Sequence, residues 1–354
     1  MSDDGIRLLG PDGERVPHPT YSCDAGPGEL RALYRDMALA RRLDTEGVTL
    51  QRQGELALWP SLLGQEAAQV GSVRALRDGD RVFPSYREHA VALARGVDPL
   101  ALFRLFRGVD HGAWDPDAHD VHLYTLVIGS QTLHATGYAH GLAKDGSDAA
   151  VIAYFGDGAT SQGDVAEAFN FAAVYDAPVV FFCQNNQFAI SEPNERQTRV
   201  PLHQRAQGFG FPGVRVDGND VLAVRAVTRA ALEHVRSGAG PFLIEAYTYR
   251  MGAHTTSDDP TRYRDAAEVE RWRAKDPLLR LDRLLRAEHA ADDAFFAEVE
   301  AEGEALAARV REGVRGMPAP RPEELFDHVY AEENSLVERE RAEFAAYQAA
   351  FEEV

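Results

Sequence analysis

The chain has 354 residues, 45% of them hydrophobic, which is enough for a large core and excludes a fibrous or disordered chain. Fifty-six acidic against 37 basic residues leave a net charge of −19, and no basic patch is concentrated to draw a nucleic-acid backbone. Met1-Ser2-Asp3-Asp4-Gly5 lacks the basic and apolar parts of a signal peptide, and no apolar run approaches the roughly 20 residues of a membrane span. These features predict a soluble, cytoplasmic protein with no membrane or nucleic-acid partner. Cys23 and Cys183 are too few for a disulfide framework, and Cys183 sits in an apolar run as a small core residue.

Residues 1–27 are rich in Gly, Pro and Asp without a sustained period, which predicts an extended arm that packs on a neighbour or frays. From Glu29 to Gln53 the residues Leu30, Leu33, Met37, Leu43 and Val48 recur at helical spacing, and helices continue at Gln65–Leu76 and His89–Arg95. From Ala149 the pattern changes. Val151–Phe155, Val179–Cys183, Val214–Val216 and Phe242–Tyr247 read as strands, separated by helices at Asp164–Tyr175 and Val221–Val235. Strands apolar on both faces and alternating with helices predict an α/β fold: a doubly wound parallel sheet with a helical N-terminal layer. After Thr255 a polar loop leads into a charged helical tail. The expected organisation is an arm over 1–27, an α/β domain over 28–264 and a helical C-terminal region over 265–354.

Phe155-Gly156-Asp157-Gly158-Ala159 follows one buried strand and precedes a helix, a position suited to a diphosphate on exposed N–H groups. Gln184-Asn185-Asn186-Gln187-Phe188 follows the next strand. A right-handed crossover brings the ends of parallel strands to one edge, so Asp157 and Asn186 can meet. A carboxylate, an amide oxygen and a main-chain carbonyl are hard oxygen donors of the kind magnesium takes. Gly-Asp-Gly alone is a common turn; paired with Asn-Asn at this spacing it resembles the thiamine diphosphate signature.

From about Gln51 to Arg264 the chain resembles the alpha subunits of pyruvate and branched-chain 2-oxo acid dehydrogenases, and more weakly acetoin dehydrogenase. Gly64-Gln65-Glu66-Ala67-Ala68, Ser85-Tyr86-Arg87-Glu88-His89 and Val216-Asp217-Gly218-Asn219-Asp220 carry the likeness alongside the two turns. The resemblance implies the thiamine diphosphate-binding fold, with Asp157, Asn186 and the carbonyl of Phe188 as magnesium ligands. It implies cofactor contacts at Tyr86, Arg87, Leu126, Ile128, Gly156, Gly158, Ala159 and His254, with Ile128 as the apolar wedge beneath the cofactor. His254 is also expected to serve catalysis, handling substrate or the later acyl transfer. Thr255 stands where mitochondrial relatives carry a regulatory phosphoserine.

The family's chemistry needs a glutamate facing the cofactor from a second α/β domain, and this chain has one such domain. The resemblance therefore implies a beta subunit in a two-alpha, two-beta tetramer, with the acyl group passing to the lipoyl arm of an acyltransferase. The substrate is expected to be a small 2-oxo acid, and two departures from the family pattern matter, the first leaving one fewer cation at the diphosphate and the second counting against pyruvate. Gln184 stands where branched-chain members carry an arginine that reaches the diphosphate, and Leu58-Trp59-Pro60-Ser61 lacks a histidine found in pyruvate-type members. The sequence reading favours a branched acid such as 2-oxoisovalerate, with pyruvate or acetoin dehydrogenation as the alternative. A P-loop phosphoryl-transfer enzyme would need Gly-x-x-x-x-Gly-Lys-Ser/Thr, which is absent; a nucleotide-binding module would need neither Tyr86-Arg87 nor the His254 loop. His111, His119, His122, His134 and His140 follow no zinc-ligand spacing.

Overall fold

A computed structural model describes residues 5–110, 112, 114–319 and 321–352. Its first third holds α1 (Pro27–Arg52), α2 (Glu66–Val73), β1 (Arg81–Phe83), α3 (His89–Ala94), α4 (Pro99–Arg107) and the short α5 (Pro116–His119). There follow α6 (Ser130–Lys144), β2 (Val151–Gly156), α7 (Gly163–Val174) and β3 (Val179–Asn185). A small ribbon of β4 (Phe188–Ala189) and β5 (Glu192–Pro193) leads through α8 (Asn194–Gln197) and α9 (Arg205–Gly208) to β6 (Gly213–Asp217). The chain continues with α10 (Val221–Arg236), β7 (Phe242–Tyr247), α11 (Ala266–Arg273), α12 (Pro277–Ala287), α13 (Asp293–Arg315) and α14 (Ser335–Glu352).

Five strands form one sheet in the order β1-β2-β3-β7-β6, every pair parallel. Alternate residues of a strand point to opposite faces, and here both faces are covered. Ile152, Tyr154, Val180, Phe182 and Ile244 join the core under α1, α2 and α10. Val151, Ala153, Phe155, Val179, Phe181 and Cys183 join the core under α6 and α7. Continuous apolar runs such as Val179-Val180-Phe181-Phe182-Cys183 are what a strand buried on both sides requires.

The described part of the N-terminal arm, expected to pack on a neighbour or fray, fastens to the chain's own sheet. Ile6 forms a parallel bridge with Val216 of β6, and Leu8 and Leu9 are buried. The reason is Asp220, the N-cap of α10. One of its oxygens accepts from Leu222 and Ala223 N–H, while the other accepts from Leu8 and Leu9 N–H, both at 2.6 Å. At the other end, Leu281, Leu284, Leu285, Val310 and Val314 of α12 and α13 share the core of the sheet's first face. Among the described residues, no helix is long and apolar enough to cross a membrane.

Candidate functional site

A cavity of about 470 Å³ opens beyond the carboxyl ends of β2, β3 and β7, where ligands of open parallel sheets sit. Every residue that the sequence singled out for cofactor or metal lines it: Tyr86, Arg87, Leu126, Ile128, Gly156, Asp157, Gly158, Ala159, Asn186, Phe188 and His254.

Asp157 leaves the end of β2 into a single turn of 3-10 helix, whose Thr160 hydroxyl bonds back to the Asp157 carbonyl. Gly158 makes the turn possible, since a Cβ there would lie 2.7 Å from the Cβ of Ala189. The Asp157 side chain is 2% exposed and accepts from the Gln197 amide at 3.1 Å, with the Asn186 main-chain N–H also in reach. Burial outweighs these bonds and pushes its carboxyl up to about 6. Asn186 donates to Gln65 Oε1 at 3.2 Å, and its own Oδ1 takes only a long bond of 3.4 Å from Phe188 N–H.

The two adjacent asparagines do different work. Alternation along β3 turns Asn185 away from the cavity onto Glu245, at 2.7 Å, while its Oδ1 accepts from Gln187 N–H and the Asn194 amide. Burial raises the Glu245 carboxyl, but bonds from His203 and Arg215 overcome it and hold it at about 2. The ion cluster thus anchors the turn that presents Asn186 and Phe188.

Arg87 is buried and spans two loops: it donates to the Ser61 carbonyl at 2.5 Å and to the His254 carbonyl at 2.9 Å. Its second nitrogen also lies 3.3 Å from His254 Nδ1. A guanidinium only donates, so Nδ1 is the acceptor and the neutral ring carries its proton on Nε2. Burial, then Arg87 and Arg250, depress the His254 imidazole to about 3, which keeps it neutral. The loop is pinned by a reciprocal pair, Trp59 N–H to Thr256 Oγ1 at 3.0 Å and Thr256 N–H to the Trp59 carbonyl at 3.1 Å. Buried Asp44 fixes the facing segment by accepting from Trp59 Nε1, Ser61 Oγ and Leu62 N–H.

The sequence reading gave no role to Arg250, which donates to the Phe188 carbonyl at 3.0 Å, the Ile190 carbonyl at 2.5 Å and Tyr263 Oη at 3.0 Å. A carbonyl has two lone pairs, so the Phe188 oxygen keeps one for a cation. Arg250 follows β7 by three residues, so the strand end carried the signal. Gln65, Glu88, Gln131 and Gln184 also line the cavity without an expected role. Gln65 Nε2, Gln131 Oε1, Gln184 Oε1 and Arg250 Nε are buried without a hydrogen-bond partner among the described residues. A polar ligand is the ordinary remedy for such orphans.

The dehydrogenase E1 component family matches residues 34–321, more than half of the chain. The chain belongs to that family. It is 45% identical over 342 residues to the 3-methyl-2-oxobutanoate dehydrogenase subunit alpha of Mycobacterium tuberculosis, covering 96% of this chain and 93% of the relative. It is 42% identical over 282 residues to the pyruvate dehydrogenase E1 component subunit alpha of Staphylococcus aureus, covering 79% and 76%. The same subunit of Staphylococcus epidermidis is 40% identical over 284 residues, covering 80% and 76%.

In this E1 component chain His122, His140 and His119 pack into the scaffold. His122 stacks on Phe83 at 3.8 Å, His140 packs on Tyr175, and His119 Nδ1 lies 3.3 Å from the Arg95 carbonyl. His134 is exposed, and His111 lies outside the described residues.

Proposed function

We propose that this chain is the alpha subunit of a thiamine-diphosphate-dependent 2-oxo acid dehydrogenase with a branched-chain acid, 2-oxoisovalerate, as substrate. The observation that carries this is Asp157: a buried carboxylate with no cation bonded to it, beside Asn186 and the Phe188 carbonyl in a cavity at the strand ends. Magnesium is the missing charge. It would be held by those three oxygens and would in turn hold the diphosphate. Thiamine diphosphate, when bound, supplies the electron sink that decarboxylation of a 2-oxo acid needs.

The chain's own residues bind and orient. Arg87 and the N–H groups of Gly156, Gly158 and Ala159 would hold the diphosphate beside Tyr86, and Leu126 and Ile128 would give the cofactor an apolar support. Neutral His254 offers its Nε2–H as a hydrogen-bond donor to substrate or phosphate. A beta subunit supplies the facing glutamate in a two-alpha, two-beta tetramer, and a lipoyl-bearing acyltransferase receives the acyl group. The 45% identity to a branched-chain subunit over nearly the whole of both chains supports that substrate, while pyruvate is the second reading, favoured by the Staphylococcus relatives. The cofactor test is calorimetric: Asp157→Ala should stay folded and lose magnesium-dependent thiamine diphosphate binding. Retention of that binding by a folded variant overturns the assignment.

A further inference from the structure

Glu88 and Gln184 form a buried pair in the cavity that the reading above leaves without a function. Gln184, near the end of β3, is 2% exposed; its Nε2 donates to Glu88 Oε1 at 2.5 Å, while its Oε1 is buried and unpartnered. Glu88 is 1% exposed, and its other oxygen accepts from Ser85 Oγ at 2.8 Å. The Ser85 hydroxyl, the Ser85 main-chain N–H and the Gln184 amide that donate to the carboxyl are all neutral. The titratable groups that face it among the described residues are Arg87, Tyr124 and Tyr154, and Arg87 donates to Ser61 and His254 rather than to Glu88.

Both residues line the cavity, so an ionised Glu88 beside an unpartnered amide oxygen would present an incoming diphosphate mainly with acceptors. Like charges and facing lone pairs repel, and only the second N–H of Gln184 Nε2 is left to compensate. Protonating Glu88 reverses the polarity. A carboxylic acid donates, the Gln184 amide rotates half a turn about its last torsion, and Nε2 is freed to face the cavity without any backbone movement.

We propose that Glu88 in the cofactor-loaded protein is a neutral carboxylic acid that donates to Gln184 Oε1, turning the Gln184 Nε2 donors onto the diphosphate. This rests on the thiamine diphosphate reading. Glu88 is then a positioning residue acting through Gln184, and loading couples to one proton taken from solvent onto Glu88. Burial raises the Glu88 carboxyl, which makes the neutral form accessible.

The test measures thiamine diphosphate affinity at fixed magnesium on the full chain with its beta partner, from about pH 6.5 to about pH 9.5. Once pH exceeds the point where the ligand-free pair loses its proton, wild-type affinity should fall roughly tenfold per pH unit. Calorimetry in two buffers should show matching proton uptake there. Glu88→Gln supplies a permanent donor to Gln184, so its alkaline limb should flatten and its proton uptake drop out. Ser85→Ala removes a hydroxyl that favours the ionised form, so the limb should move to higher pH. A wild type without the limb, a limb that Glu88→Gln retains, or a limb that Ser85→Ala leaves in place overturns the inference while the cofactor reading stands. If Glu88→Gln does not fold, the Ser85→Ala shift decides. A wild type that binds no thiamine diphosphate with magnesium overturns the reading and the inference together.

Discussion

Asp157 is costly to the ligand-free chain. Its carboxyl stands at about 6 instead of the ordinary 3.8, so the native state holds this proton more tightly than the unfolded chain does. Native stability therefore falls as pH rises between those values, and the full cost is present above about 6. A shift of roughly two units corresponds to about 3 kcal/mol. Asp157→Asn should accordingly stabilise the ligand-free chain near pH 7.5 by up to ~3 kcal/mol, with the gain vanishing near pH 4. Denaturant melts at the two pH values check this, and equal effects at both would contradict it. The same variant should lose the stabilisation that magnesium and thiamine diphosphate give wild type. Such stabilisation by removal of charge marks a residue kept for binding rather than for folding. Asp157, Asn186 and Arg87 were legible because their types fit the ligand and their positions follow strands. Glu88 and Arg250 were not, because their surroundings depend on which polar atoms the fold leaves without partners, and Gln184 was legible only as a departure from the family's arginine.

The elements owe their legibility to period and length. β2, β3 and β7 are long apolar runs, and α1 and α10 carry clear stripes, so their types could be read directly. β1 is three residues long and takes its place only by pairing with β2. α6 contains Gly137 and Gly141 and packs between the sheet and α7, which blurs its stripe. The arm was misjudged because its partners, Asp217 and Asp220, lie some two hundred residues away. The turn after β3 depends on a similarly remote group. Glu245 sits at about 2, below the ordinary 4.5, so its bonds to His203, Arg215 and Asn185 stabilise the native state fully above 4.5. That contribution is lost as pH falls toward 2. Glu245→Ala should destabilise the chain by about 3 kcal/mol at neutral pH, since it leaves buried partners uncompensated. Unfolding followed by denaturant should show the difference narrowing as pH is lowered below the ordinary carboxylate range. Cofactor affinity should fall with it, because Asn185 loses the anchor that holds the turn.

At the scale of the whole molecule the cavity carries exposed apolar side chains on its lining. Leu126 and Ile190, which line it, are 59% and 56% exposed, and Val127, next in sequence to Leu126, is 70% exposed, a degree of apolar exposure that suits a surface a partner covers. With one α/β layer among the described residues, the proposed reading gives this chain the diphosphate end of the site and leaves the facing glutamate to the beta subunit. The purified chain should bind cofactor weakly and turn over no 2-oxo acid, and mixing with its beta subunit should restore decarboxylation. Robust turnover by the chain alone would show that the division of labour lies elsewhere. The reconstituted tetramer then decides the substrate. The segment Leu58-Trp59-Pro60-Ser61 places Leu58 and Pro60 on the cavity wall with Phe106, an apolar lining without the histidine of the pyruvate type. Apolar room rewards extra methyl groups by about 1–3 kcal/mol per methylene, so the preference should be tens to a few hundred fold. The specificity constant for 2-oxoisovalerate should exceed that for pyruvate by this factor. Equality, or a higher value for pyruvate, would transfer the substrate assignment to pyruvate and leave the metal and cofactor residues as they are.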